Sequence, residues 1–134
     1  MRIVIDTNVV ASAIFFGGKP KQLIELLLQK RFDSFVTAEI IEEYHETVEY
    51  LINKYPARKI SVPLTQIVSA CNIIESKSKV QVCRDPDDDK FISCAKDAKC
   101  LYVVSGDKDL LSIKEYEDVE IIAVSDFINI LCGN

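Results

Sequence analysis

The chain has 134 residues, of which 49% are hydrophobic and 28% charged, with a formal net charge of −5. That length suits one compact domain, residues 1–134, and not two. No apolar run nears the roughly 20 residues that span a bilayer, and the first residues lack the order of a signal peptide, so a cytoplasmic protein away from membranes is expected.

Arg2 to Ile5 reads as a buried strand, because Ile and Val without alternation suit a strand covered on both faces. It stops at Asp6-Thr7-Asn8. An acid there lies at the carboxyl end of a strand, where open α/β sheets bind their ligands, or it caps the next helix. Both readings stand on this stretch alone. Val9 to Phe16 predicts a short helix, and Gly17-Gly18 ends it; the Gly-x4-Gly-Lys-Ser/Thr spacing of a phosphate loop is missing. Pro20 opens a helix over Lys21 to Lys30, with Leu23, Ile24, Leu27 and Leu28 on one face and Lys19, Lys21, Lys30 and Arg31 as a basic rim.

Ser34 to Thr37 predicts the second strand, and Ala38 to about Leu51 an amphipathic helix with Ile41, Tyr44, Val48 and Leu51 inward. Of its acids, Glu43 lies nearest that apolar seam, and Glu39, Glu42 and Glu46 point further out. His45, the sole histidine, is read as a surface or groove residue. Tyr55-Pro56 closes the element. Pro63 to Ser76 predicts another helix, for core packing or a dimer surface, and Val80-Gln81-Val82 fits a short edge strand.

Asp85-Pro86-Asp87-Asp88-Asp89 concentrates carboxylates that repel one another unless cations or amides sit among them. The helix after it, Phe91 to Lys99, turns Phe91, Ile92, Cys94, Ala95 and Ala98 inward. Asp88 precedes Phe91 and Ile92 by three and four residues and shares their face, while Asp89 is rotated about 100° away. The neutral alternative is an acid stabilised by the helix dipole. Leu101 to Val104 is a further strand ending in Ser105-Gly106-Asp107-Lys108-Asp109, which repeats the opening pattern. A strand over Glu120 to Val124, Ser125 as N-cap and a helix over Asp126 to Leu131 finish the chain.

Alternating strands and helices predict a parallel α/β sheet, which gathers carboxylates from four places at one edge. Five cysteines without a CxxC pair disfavour zinc or a disulfide framework, and the single histidine disfavours a Ser-His-Asp triad. Clustered carboxylates suit Mg2+ or Mn2+, hard cations that take oxygen ligands. Such a centre serves metal-assisted phosphodiester hydrolysis. The acid excess argues against a protein that coats nucleic acid without preference, which would be basic.

Ile5-Asp6-Thr7-Asn8, Glu42-Glu43-Tyr44, Asp85-Pro86-Asp87-Asp88-Asp89-Lys90-Phe91 and Val104-Ser105-Gly106-Asp107-Lys108-Asp109-Leu110-Leu111 together resemble the PIN domain family. The closer likeness is to its VapC-like members, toxins of toxin–antitoxin systems, and it covers essentially the whole chain. The resemblance implies a three-layer α/β/α sandwich with a mostly parallel central sheet, and a Mg2+- or Mn2+-dependent ribonuclease. It assigns catalysis and metal binding to Asp6, Glu43, Asp88 and Asp107, supported by Asn8 and Ser105, with Asp85, Asp89 and Asp109 as secondary acids. The crowded run leaves Asp88 and Asp89 as alternatives for the third acid. RNA as substrate, a homodimer and a cognate antitoxin protein are implied as partners. Lys19, Lys21, Lys108 and Arg84 are expected to guide the phosphate backbone. Two other classes remain open: a non-catalytic PIN module that binds RNA or protein, and a Mg2+-dependent phosphotransfer or phosphatase domain. The last is disfavoured because Asp6-Thr7-Asn8 lacks a second acid two residues on.

Overall fold

The computed structural model describes residues 1–133. Its centre is a six-stranded sheet in the order β3-β2-β1-β4-β6-β5, formed by β1 (Arg2–Ile5), β2 (Asp33–Val36), β3 (Asn72–Ile73), β4 (Tyr102–Val104), β5 (Glu115–Tyr116) and β6 (Val119–Ile122). All pairings are parallel except the terminal hairpin of β5 with β6. Helices cover both faces. On one, α1 (Thr7–Phe15), α2 (Gly18–Leu28), α3 (Ala38–Lys54), α4 (Leu64–Ser69) and α7 (Val124–Leu131) pack against one another; α5 (Asp89–Asp97) lies across β1, β2, β4 and β6. A four-residue helix, α6 (Lys108–Leu111), follows β4. The expected α/β/α sandwich with its mostly parallel sheet is therefore present.

The core forms where continuous apolar strands meet amphipathic helices. Ile3, Val4, Ile5, Val103 and Val104 are buried from both sides, as a strand between two helical layers requires. Phe91, Ile92, Cys94, Ala95 and Ala98 of α5 and its end are buried as their spacing predicts. On α3 the fully buried seam is Ile40, Tyr44 and Val48, while Ile41 and Leu51 are half-buried. The Tyr44 hydroxyl donates to the Ile5 carbonyl at 2.5 Å, tying α3 to the end of β1. All five cysteines are free thiols.

Four expectations need correction. Pro63 to Ser76 is not one helix: α4 stops at Ser69, and Asn72–Ile73 extends the sheet as β3 beside β2. A parallel edge outside β2 offers backbone partners that an isolated helical pattern cannot anticipate. Val80 to Val82 is not a strand. Its amides go to side chains instead, Val80 N–H to Ser93 Oγ at 3.3 Å and Val82 N–H to Asp89 Oδ1 at 3.0 Å. Ser125 is not the N-cap, because α7 starts at Val124, two residues before the expected Asp126, with Ala123 at the cap and Ser125 in the first turn. Finally, α2 starts at Gly18, before Pro20, with Gly17 at its N-cap, the two glycines taking φ 75° and 68°. Left-handed φ is open to glycine without a Cβ penalty, so the chain reverses there from α1 into α2.

Candidate functional site

Strand order runs to β2 on one side of β1 and to β4 on the other, so the sheet reverses direction between β1 and β4. The carboxyl ends of strands beside such a reversal form a crevice where α/β sheets hold ligands. Asp6 leaves β1 at that point, its amide still donating to Val104 O at 2.9 Å. It stands at the N-cap position of α1 but makes no side-chain capping bond. Its Oδ2 instead accepts from Ser105 Oγ at 2.7 Å, across the gap from β1 to β4. Ser105 in turn accepts from the Asp107 amide at 3.0 Å. Both Asp6 and Ser105 are buried. Burial pushes the Asp6 carboxyl above its ordinary value, and the Ser105 hydroxyl and the nearby amides of Asn8 and Thr7 pull it partly back.

Asp88 ends a single 3₁₀ turn, Pro86–Asp88, just before α5. Its carboxyl is pushed up to about 6, first by burial and then by the charges of Asp6, Asp85, Asp107 and Glu43. These acids therefore lie near enough to feel one another's charge at this end of the sheet. Asp89, the alternative third acid, turns away: its Oδ1 accepts from the amides of Val82 and Cys83 at 3.0 and 2.8 Å. Asp85 caps the 3₁₀ turn, accepting the Asp87 amide at 3.0 Å. Asp107 caps α6 through the Asp109 amide at 3.2 Å. At the rim, Asn8 and Asp109 are exposed, and Asp109 has the exposed Arg84 guanidinium 3.8 Å away. Lys19 and Lys108 are exposed, and Lys21 is half-buried.

Glu43 projects from the second turn of α3 into the same crevice. Its Oε2 accepts from Thr7 Oγ1, and its Oε1 meets Lys90 Nζ at 2.7 Å. Lys90 also contacts Asp87 Oδ1 at 2.9 Å and Asp87 O at 3.0 Å, with its side chain only 8% exposed. Burial disfavours the ammonium, but the bonds to Glu43 and Asp87 outweigh it and hold the lysine above its ordinary value. Thr7 and Lys90 are the two site neighbours the sequence reading passed over. Their signals were the hydroxyl between Asp6 and Asn8, and a lysine three residues after Asp87.

Among the described residues, no three His, Cys, Asp or Glu side chains already stand close enough together to hold a metal ion. The donor set nevertheless suits a hard cation. It is all oxygen, and among the described residues no protein hydrogen bond is seen to the Asp88 carboxylate or to Asp107 Oδ2.

The protein is 33% identical over 122 residues to a protein of Methanocaldococcus jannaschii named "Uncharacterized protein MJ1680", an alignment covering 86% of this chain and 76% of that one. Residues 2–109, from the first residue of β1 to α6, match the PIN domain. PIN domains are generally nucleases and typically use divalent metal ions. By that match, spanning every strand end that carries an acid of the crevice, the chain belongs to the PIN domain family.

Proposed function

We propose that the protein, as one nuclease domain over residues 1–134, is a Mg2+- or Mn2+-dependent endoribonuclease whose substrate is single-stranded or looped RNA. The observation that carries this reading is the buried Asp6 carboxyl at the sheet's reversal point, bonded across the gap by Ser105, with Asp107 two residues beyond Ser105 and Glu43 held beside it by Thr7. Asp6, Asp88 and Asp107 are the residues that would hold the ion. When bound there, a divalent cation polarises a phosphoryl oxygen and lowers the pKa of water. Ser105 orients Asp6 through its 2.7 Å bond. Glu43, braced by Thr7 and Lys90, would orient the attacking water. Hydrolysis forms a bond from the water oxygen to phosphorus and breaks the bond to the leaving ribose oxygen, which takes up a proton.

Single-stranded RNA is favoured by a second feature. Glu43, Thr47, Tyr50 and Lys54 share one flank of α3, and Lys54 lies roughly 16 Å along the helix from Glu43. Lys54 Nζ stands 5.7 Å from the Tyr50 ring and 5.5 Å from that of Tyr55. Phe16 meets Tyr55 edge-on at 6.0 Å, beneath the Arg58 guanidinium at 4.6 Å. Exposed rings interleaved with cations stack unpaired bases and steady phosphates. By its likeness to VapC-like proteins, the chain is also proposed as the toxin of a toxin–antitoxin pair, a homodimer neutralised by a partner protein.

The test is cleavage of an end-labelled, mixed-sequence RNA with Mn2+, with Mg2+ and with EDTA, comparing wild type with Asp6→Asn and Asp107→Asn. Metal-dependent cutting lost in both variants supports the nuclease. A protein that takes up Mn2+ and binds the RNA without cutting it is instead the non-catalytic module.

A further inference from the structure

Lys90 is bound more completely than any other side chain of the crevice. An ammonium has three N–H donors and no acceptor, and here each has an oxygen: Glu43 Oε1 at 2.7 Å, Asp87 Oδ1 at 2.9 Å and Asp87 O at 3.0 Å. Its side chain is 8% exposed, and its charge lies 5.4 Å from the centroid of the Phe91 ring. The other oxygen of Glu43 accepts from Thr7. Both oxygens of Glu43 are thus engaged by this chain's own groups, while among the described residues Asp88 and Asp107 keep oxygens without a protein donor and no cationic side chain pairs with Asp6, Asp88 or Asp107.

Resting on the metal-dependent nuclease reading above, we propose that Lys90 is a positioning residue that stands in for a second cation. It holds Glu43 out of metal coordination, so the crevice takes one divalent ion, among Asp6, Asp88 and Asp107. The ammonium is paired with the carboxylates of Glu43 and Asp87, which leaves Asp6, Asp88 and Asp107 as the three without a cationic partner. A second dication beside Glu43 would have to displace a largely buried ammonium from three hydrogen bonds, leaving a charge unpaired in a poorly solvated place. Lysine suits the role because its ammonium is a compact point charge, close in kind to a bound ion, whereas the arginine fork is planar and wide.

The experiment counts Mn2+ bound per chain, by equilibrium dialysis with free Mn2+ read by electron paramagnetic resonance. Wild type runs beside Lys90→Met, Lys90→Gln, the double variant Lys90→Met/Glu43→Gln and Asp6→Asn, each checked for native circular dichroism. Lys90→Gln keeps a donor for Glu43 and serves if the methionine variant does not fold. The expected counts are one ion for wild type, two for Lys90→Met and Lys90→Gln, and one again for the double variant. Two ions in wild type, or one in a folded neutral Lys90 variant, overturns the role of Lys90 and leaves the nuclease reading intact. No Mn2+ in wild type, or undiminished binding in Asp6→Asn, overturns the nuclease reading and this inference with it.

Discussion

Asp6 shows how far single residues of the site could be read in advance. An acid after a buried strand can be a helix cap or a ligand-facing group, and the fold adds what the stretch alone lacks: Ser105, 99 positions away, donates to it. Asp6→Asn and Asp107→Asn are expected to lose metal-dependent RNA cleavage by more than the roughly 10–100-fold that partners of metal ligands are worth. Ser105→Ala, which removes only an orienting hydroxyl, should fall within about that 10–100-fold range, so one gel assay of initial rates ranks all three. Asp88 yields a pH prediction. With its carboxyl at about 6 instead of 3.8, the folded chain without metal binds more protons than the unfolded chain between those values. Stability of the metal-free protein then falls as pH rises through that window. Because Asp88 is partly exposed, solvent screening cuts the effect to roughly 1 kcal/mol, a few degrees in Tm. Asp88→Asn in EDTA should raise Tm at pH 7.5 and flatten its dependence between pH 4 and 7, measured by thermal melts.

At the scale of elements, helix ends were the least legible features, because local geometry rather than periodicity decides them. The end of α5 is an example. Lys99 takes φ 56°, and the Cys100 amide donates to Ala95 O at 2.8 Å, the six-to-one closure of a Schellman motif. A left-handed lysine bears a Cβ penalty that glycine escapes, so Lys99→Gly should stabilise the protein by about 0.5–1 kcal/mol, seen as a higher midpoint in urea. The strap after β3 depends on a different device. Asp97 accepts from the hydroxyls of Ser76 and Ser78 and from the amides of Lys77 and Ser78. Burial pushes its carboxyl up, but these four donors prevail and lower it to about 2. Asp97→Ala should free this strap and cost roughly 1–3 kcal/mol, with faster amide exchange confined to residues 76–83. The stabilisation from Asp97 is complete above about pH 4 and is lost as pH falls towards 2.

On the scale of the whole molecule, a cation that binds the folded chain alone must stabilise it. Mn2+ at about a hundredfold excess over its Kd is expected to add about 2.7 kcal/mol, several degrees in Tm, and none of that gain should survive in Asp6→Asn. The aromatic and cationic flank lies away from the acids, so its loss should affect binding before chemistry. Tyr50→Ala with Phe16→Ala should raise KM for RNA by roughly 1–3 kcal/mol per base unstacked and leave kcat close to wild type. Much of this molecule was already legible in its sequence. Runs of Ile and Val specified the buried strands, three-and-four spacing specified α3 and α5, and strand–helix alternation specified a parallel sheet, because each is a local consequence of side-chain period and burial. Helical phase likewise singled out Glu43 and Asp88 as the acids nearest the apolar faces. Only the fold could decide what met them. Asp89 turning to the loop amides, Thr7 and Lys90 closing on Glu43, Ser105 reaching Asp6 and β3 forming beside β2 all depend on contacts between distant segments, and no local pattern encodes those.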